Sequence, residues 1–412
     1  MTTHATTGQP GGPGTPDRPG LMLFLATLGF ALAFWAWALL APLAPGLADD
    51  LGLSSTQQAL VVAIPVLVGS LGRVPVGALT DRFGARRVFP AVAFLTVLPV
   101  LYLGLLAGSF TEYVVGGFLL GVAGTAFAVG VPFVNAWYPP ARRGFAVGVF
   151  GAGMGGTAVA AFTTVKLADT VGDAFPFVLV AGLLVAYGVL AAVLLRDAPG
   201  QSRQTGSLAR RIAATARLSV TVKASLLYAL GFGGFVAFSV YLPTYLKNTY
   251  DLSQNGAAMR TAGFVVLAVL MRPVGGWLSD RVPPLRVLAF CFTVVAALAA
   301  VAAFEPPIEL GAALVFLGLA AGLGTSTGAV FAYVAQEAPA GTMGAVTGLV
   351  GAAGGLGGFV PPLVMGVVYA KTDAYTLGLL ALAVVAVVAA VWTGTHDRRA
   401  HRAGLAARAR TA

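Results

Sequence analysis

The chain has 412 residues, of which 58% are hydrophobic and only 10% charged, and its formal net charge is +10. Soluble domains carry about 25% charged residues, so this composition excludes an ordinary water-soluble domain and points to the bilayer. One cysteine (Cys291) excludes an internal disulfide, and three histidines confined to the ends (His4, His396, His401) leave no metal site and no cofactor to expect.

Residues 1–20 are rich in Gly, Pro and Thr and read as a disordered cytoplasmic tail. A cleavable leader is not expected, because the apolar stretch that follows is long and many equal ones come after it. A membrane-crossing helix needs roughly 17–25 apolar residues. Twelve such stretches follow in order: 21–45, 58–80, 88–108, 112–137, 143–166, 174–195, 220–246, 258–279, 285–304, 310–335, 343–369 and 375–394. The longest polar interruption, 196–219, divides an N-terminal six-helix bundle (21–195) from a C-terminal one (220–395). It reads as a cytoplasmic linker with solvated or lipid-facing cations, and 396–412 reads as a basic cytoplasmic tail.

Orientation follows from the cations. With both termini in the cytoplasm, nineteen Lys and Arg fall on the cytoplasmic side and four on the outer side (Lys166, Lys247, Arg260, Lys371). The basic excess is therefore an orientation signal with attraction to anionic membrane lipid, and nucleic acid is not an expected partner. Two cations remain, Arg73 and Arg272, both inside apolar stretches.

The halves repeat each other. RVPVGALTDRFGARR ends the second stretch and RPVGGWLSDR ends the eighth, so that Arg73 and Arg272 each precede an Asp-Arg pair by eight residues (Asp81-Arg82, Asp280-Arg281). Gly124, Pro139, Gly144, Gly148, Gly151 and Gly155 recur 200 residues later as Gly324, Pro339, Gly344, Gly348, Gly351 and Gly355. Two matched six-helix halves are the pattern of a transporter with its site between them.

Eight residues at 1.5 Å rise place each guanidinium roughly 12 Å inside the helix end, near the middle of an apolar core roughly 30 Å thick. A charge there costs about 2.5–3.5 kcal/mol on insertion scales, and none of the 15 acidic residues lies at that depth to repay it. The planar fork of arginine suits small oxyanions, so the pair is read as a substrate site, against a structural role on backbone carbonyls. Proton-coupled carriers usually relay through Asp, Glu or His at this depth. Their absence favours anion-for-anion exchange, with symport through water or the substrate left open.

Gly144, Gly148, Gly151 and Gly155, like their repeats, fall on one helical face. Close helix packing is one reading. The other is that Gly151, Gly153, Gly155, Gly351, Gly354 and Gly355 line the substrate path with bare backbone. Phe127, Tyr228 and Phe232 fall at matching depth, where ring edges and a phenolic hydroxyl suit a planar anion. Asp81, Arg82, Asp280 and Arg281 are read as gating charge clamps. No nucleophile, base and orienting residue share one depth, so an enzyme is not expected.

At these residues the chain resembles the nitrate/nitrite porter family of the major facilitator superfamily. The likeness covers essentially all of 21–395 and is carried by RVPVGALTDRFG, LMRPVGGWLSDR, GAAGGLGGFVPPLVMG and YLPTYLKNTYDLS. It implies the major facilitator fold, an all-α membrane protein of twelve transmembrane helices working as a monomer. It further implies that Arg73 and Arg272 hold nitrate or nitrite, surrounded by Phe127, Tyr228 and Phe232. One position departs: GAGMGGT places Met154 at or beside the family's usual asparagine, and methionine has no amide N–H to donate. Other expectations from the residues are an exchanger of another small anion, such as a short carboxylate, and a non-transporting anion sensor.

Overall fold

A computed structural model describes residues 18–199, 207–252, 254–372 and 374–411, and among these the regular elements are all helical. The expected tail 1–20 therefore lies outside the described residues except for 18–20. Eleven helices are long and apolar enough to cross a bilayer: Pro19–Ala44, Leu60–Phe83, Ala85–Leu105, Phe110–Trp137, Pro140–Val171, Phe175–Leu194, Ser219–Ser239, Met259–Ser279, Pro284–Ala302, Ile308–Glu337 and Thr376–Asp397. The helix Met343–Thr372 fits between the last two, and in chain order these are spans one to twelve. Each lies within a few residues of an apolar stretch in the sequence. Leu98, Phe290, Val193 and Val384, each at least 60% exposed, show how spans three, nine, six and twelve turn apolar faces outward to lipid.

Local chemistry sets the boundaries. Proline stands in the first turn of spans one, six and nine, where its missing N–H is no loss. Ser54 and Gln57 form a reciprocal capping box ahead of span two. Spans two and three meet at Gly84, whose φ of +83° only glycine adopts freely. The first apolar stretch is not one uninterrupted helix: it breaks at Ala38, because the ring of Pro42 crowds the carbonyl four residues back. Two further breaks were not expected. Tight 3-10 turns interrupt span four at Gly121–Thr125 and span five at Ala152–Gly155.

The two bundles meet where span two packs on span eleven and span five on span eight. A Cβ on Gly77 would overlap the Gly344 carbonyl, and one on Gly276 the Gly144 carbonyl. Gly148 lies on the backbone of Arg272 and Pro273, and Gly348 on that of Arg73 and Val74. The glycine stripes thus act first as packing surfaces, letting backbones approach.

One turn beyond these contacts sit the two aspartates. Asp81 of span two accepts the Gly344 and Ala345 N–H groups at 2.8 and 2.9 Å, capping the start of span eleven. Asp280, just past span eight, accepts those of Gly144 and Phe145, both at 2.7 Å, capping the helix Arg143–Gly151 of span five. Each carboxylate therefore caps a helix N-terminus of the opposite bundle, where orphan donors and the helix dipole favour negative charge. This differs from the side-chain charge clamps expected. Arg82 and Arg281 form no ion pair with them among the described residues; they lie over the rings of Phe83 and Trp277, with Arg281 near enough for its charge to act on Asp280.

The linker also departs from expectation. Residues Leu208–Ala216 form a helix, and Arg211 is not solvated or lipid-facing: it donates to the Asp81 carboxylate at 3.2 Å. The Asp81 cap thus has a third partner that the Asp280 cap lacks among the described residues.

A lost cap costs about 1 kcal/mol, or roughly fivefold in an equilibrium. Asp81→Ala should therefore speed amide hydrogen exchange at Gly344 and Ala345, the two groups whose N–H it accepts, by roughly that factor. An unchanged rate at those two amides would show that the Asp81 carboxylate does not hold this helix end.

Candidate functional site

The bundle interface brings Arg73 and Arg272 together at mid-span. Both are buried, at 2% and 4% exposure, and no carboxylate pairs with either among the described residues. Each guanidinium carbon lies over the ring of Phe232, at 6.0 Å for Arg73 and 5.4 Å for Arg272.

Their hydrogen bonds follow the internal repeat. Arg73 Nε donates to the Gly124 carbonyl at 3.0 Å and Nη1 to the Gly351 carbonyl of the other bundle at 2.9 Å. Arg272 Nη1 donates to the Gly151 carbonyl of the other bundle at 3.3 Å. Each arginine thus reaches across the interface to the equivalent glycine of the opposite stripe. Arg272 Nε does not reach Gly324 directly. Thr327 stands between: its Oγ1 accepts from Nε at 2.9 Å and donates to the Gly324 carbonyl at 2.7 Å. Arg272 Nη2 donates to Tyr228 Oη at 3.1 Å, and Nη1 also meets Met154 Sδ.

A guanidinium carries five N–H donors. Arg73 uses two on protein acceptors and keeps three; Arg272 uses four and keeps one. Aromatic rings gather around the two guanidiniums. Phe232 stacks parallel on Tyr228 (4.9 Å, 1°), Phe127 runs parallel to Tyr228 at 6.3 Å, and Phe331 meets both edge-on. Phe127 also lies 5.4 Å from the Arg73 guanidinium.

All five expected binding residues therefore converge: Arg73, Arg272, Tyr228, Phe232 and Phe127. The glycines divide. Gly151 and Gly351 present carbonyls to the arginines, and Gly354 faces the Tyr228 and Phe232 rings. Gly153 instead packs on Phe30 and Thr27 of span one, away from the arginines, because the 3-10 turn rotates it out of register. Gly355 packs on Ser70, and a Cβ on Gly155 would meet nothing within 4 Å. Asp81, Arg82, Asp280 and Arg281 stand outside the arginine site. Burial raises the Asp280 carboxyl above its ordinary value, and its two N–H donors pull it back.

Three contacts were not anticipated. Phe331 offers no cue beyond being one of 25 phenylalanines. Met154 stands out in the sequence only as a departure from a pattern. Thr327 was legible in principle, since it lies 200 residues after Phe127 and three after Gly324 in a repeat with that offset.

The arrangement leaves four guanidinium N–H donors without a protein acceptor at the interface of the two bundles. Known proteins agree with that architecture. The family model described as Major Facilitator Superfamily matches residues 26–362. The chain is similar to the probable nitrate/nitrite transporter NarK2 of Mycobacterium tuberculosis (strain ATCC 25618 / H37Rv), 51% identical over 91% of this chain and 96% of that one. It is also similar to the probable nitrate/nitrite antiporter NarK1 of Thermus thermophilus, 34% identical over 92% and 91%. Among solved structures, FucP, a major facilitator transporter in the outward conformation, superposes with a TM-score of 0.72 at 17% identity, covering 91% of this chain and 99% of that one. Fold, interface arginines and relatives together make this chain a member of the nitrate/nitrite porter family of the major facilitator superfamily.

Proposed function

We propose that the chain carries nitrate and nitrite across the cytoplasmic membrane as a monomer, by alternating access and anion-for-anion exchange. The observation that supports this most is the unequal pair of buried guanidiniums. Three unused N–H groups on Arg73 suit two oxygens of one planar anion, and the single one on Arg272 suits a third. Nitrate has three oxygens for this seat and nitrite two. The aromatic walls replace the hydration shell with ring edges. The bias of Lys and Arg supports a cytoplasmic position for the Asp81 and Asp280 caps.

Exchange follows from charge. An empty site holds two uncompensated cations and a loaded one holds a net single charge, so closing around the anion is the easier step. No Asp, Glu or His stands beside the arginines among the described residues to relay a proton. Counterflow of labelled nitrite against internal nitrate in proteoliposomes should far exceed net uptake into anion-free vesicles under a pH gradient. Equal rates in the two assays would exclude obligatory exchange.

Lysine keeps the charge and removes the fork. A hydrogen bond to a charged group contributes about 1.5–3 kcal/mol, so Arg73→Lys and Arg272→Lys should each lower flux at limiting anion by roughly 10–100-fold. Flux at wild-type level in both variants would dismiss the two-arginine seat. Thr327→Val strands the Nε donor of Arg272 at about 1–2 kcal/mol, which should raise the half-saturating nitrate concentration roughly tenfold, with Thr327→Ser restoring it. A drop in maximal rate alone, unrescued by serine, would mean that Thr327 serves packing and not the guanidinium.

A further inference from the structure

The seam between the first and last spans of each bundle differs between the halves. In the N-terminal bundle, Tyr187 of span six fills it, its ring lying on Gly29 of span one and 6.0 Å from Phe89. In the C-terminal bundle, span twelve meets span eleven where Gly378 sits on Met365, then stands off from span seven. A groove of about 480 Å³ remains between spans seven, eleven and twelve. Its walls are hydrocarbon, from Leu226 and Leu230 on span seven to Leu382 and Val385 on span twelve. The hydroxyl of Tyr245, at the far end, already donates to the Ala302 carbonyl.

Two features identify the occupant. The groove opens sideways: Leu226 is 68% and Val385 53% exposed, on the surface that faces lipid. A water-soluble guest has no route there, and an unfilled apolar groove forfeits dispersion contacts. The second feature is charge. Lys223 lies three residues before Leu226 and seven before Leu230, on the same helical face. Trp392 follows Val385 by two turns, and the Lys223 ammonium stands 5.9 Å over its ring. No carboxylate pairs with Lys223 among the described residues. A cation beside an indole at the end of an apolar groove matches a phospholipid phosphate at headgroup depth.

We propose that this groove binds one anionic phospholipid, its phosphate at Lys223 and Trp392 and one acyl chain along spans seven and twelve. Span seven then has a lipid on the face of Leu226 and Leu230 and the anion site on the face of Tyr228. The lipid braces the helix that presents Tyr228 and Phe232. This inference rests on membrane embedding alone and is independent of which anion is carried.

Native mass spectrometry of the purified full chain, offered phosphatidylglycerol and phosphatidylcholine of equal chain length, tests it. One phosphatidylglycerol should be retained per chain, at least roughly fivefold over phosphatidylcholine, for one lysine at the surface. Lys223→Gln should remove that preference while acyl-chain retention persists. Ala237→Phe and Ala381→Phe, which fill the groove from either wall, should each lower retention of both lipids, with thermal unfolding reporting that the bundle is intact. Undiminished phosphatidylglycerol retention in both folded filler variants overturns the site, and equal retention of the two lipids by wild type overturns the headgroup assignment.

Discussion

Two buried guanidiniums set the terms for the rest of the molecule. A charge at the centre of a bilayer costs about 2.5–3.5 kcal/mol even on the gentler scales, so every N–H that faces protein must find an acceptor. The chain supplies them from backbone, not from acids. Gly351 and Gly151 lend carbonyls across the interface, and the 3-10 turn at Gly121–Thr125 presents the Gly124 carbonyl to Arg73. The arginines are held in orientation, with four N–H groups left without a protein acceptor. They also tie the bundles together, so in the proposed exchange the groups that would hold the anion are the groups that must let go when the bundles move.

The internal repeat gives this site its near-symmetry, and the departures from symmetry give it a direction. Arg73 rests on carbonyls that cannot rotate away. Arg272 rests largely on side chains: Thr327, Tyr228 and Met154. The N-terminal arginine is therefore the fixed fork and the C-terminal one the adjustable donor. Met154 fits that role, since a thioether is a weak, polarizable partner that releases a guanidinium more readily than an amide oxygen.

The fold is largely legible in the sequence. Apolar length alone locates the spans, and the eight-residue spacing from Arg73 to Asp81 and from Arg272 to Asp280 puts both cations at one depth. Depth and helical face are one-dimensional properties, so a sequence shows them. Tyr228 and Phe232 are accessible for the same reason, as an i, i+4 pair. What cannot be read is what depends on packing across the interface. A glycine stripe looks the same whether it meets a site or seats a neighbouring helix, and here Gly351 lends its carbonyl to Arg73 while Gly153 packs on Thr27 and Phe30 of span one. The Asp-Arg pairs suggest charge meeting charge. Folding instead carries each aspartate to a helix end of the other bundle and leaves its arginine on a ring. Arg211 is hidden because nothing local to a polar linker reveals which surface it crosses.

That linker is the one segment a duplicated architecture holds in a single copy, and it has come to rest on one of two otherwise matched latches. Asp81 keeps an ion-pair companion from the joining segment; Asp280 has helix N–H groups and the nearby charge of Arg281, with no ion pair among the described residues. A rocking motion resisted unequally on its two flanks begins as a tilt, with the weaker flank yielding first. In the alternating access proposed above, the seam left by joining two halves would break the degeneracy of the opening stroke and set its leading edge on the side of spans five and eight.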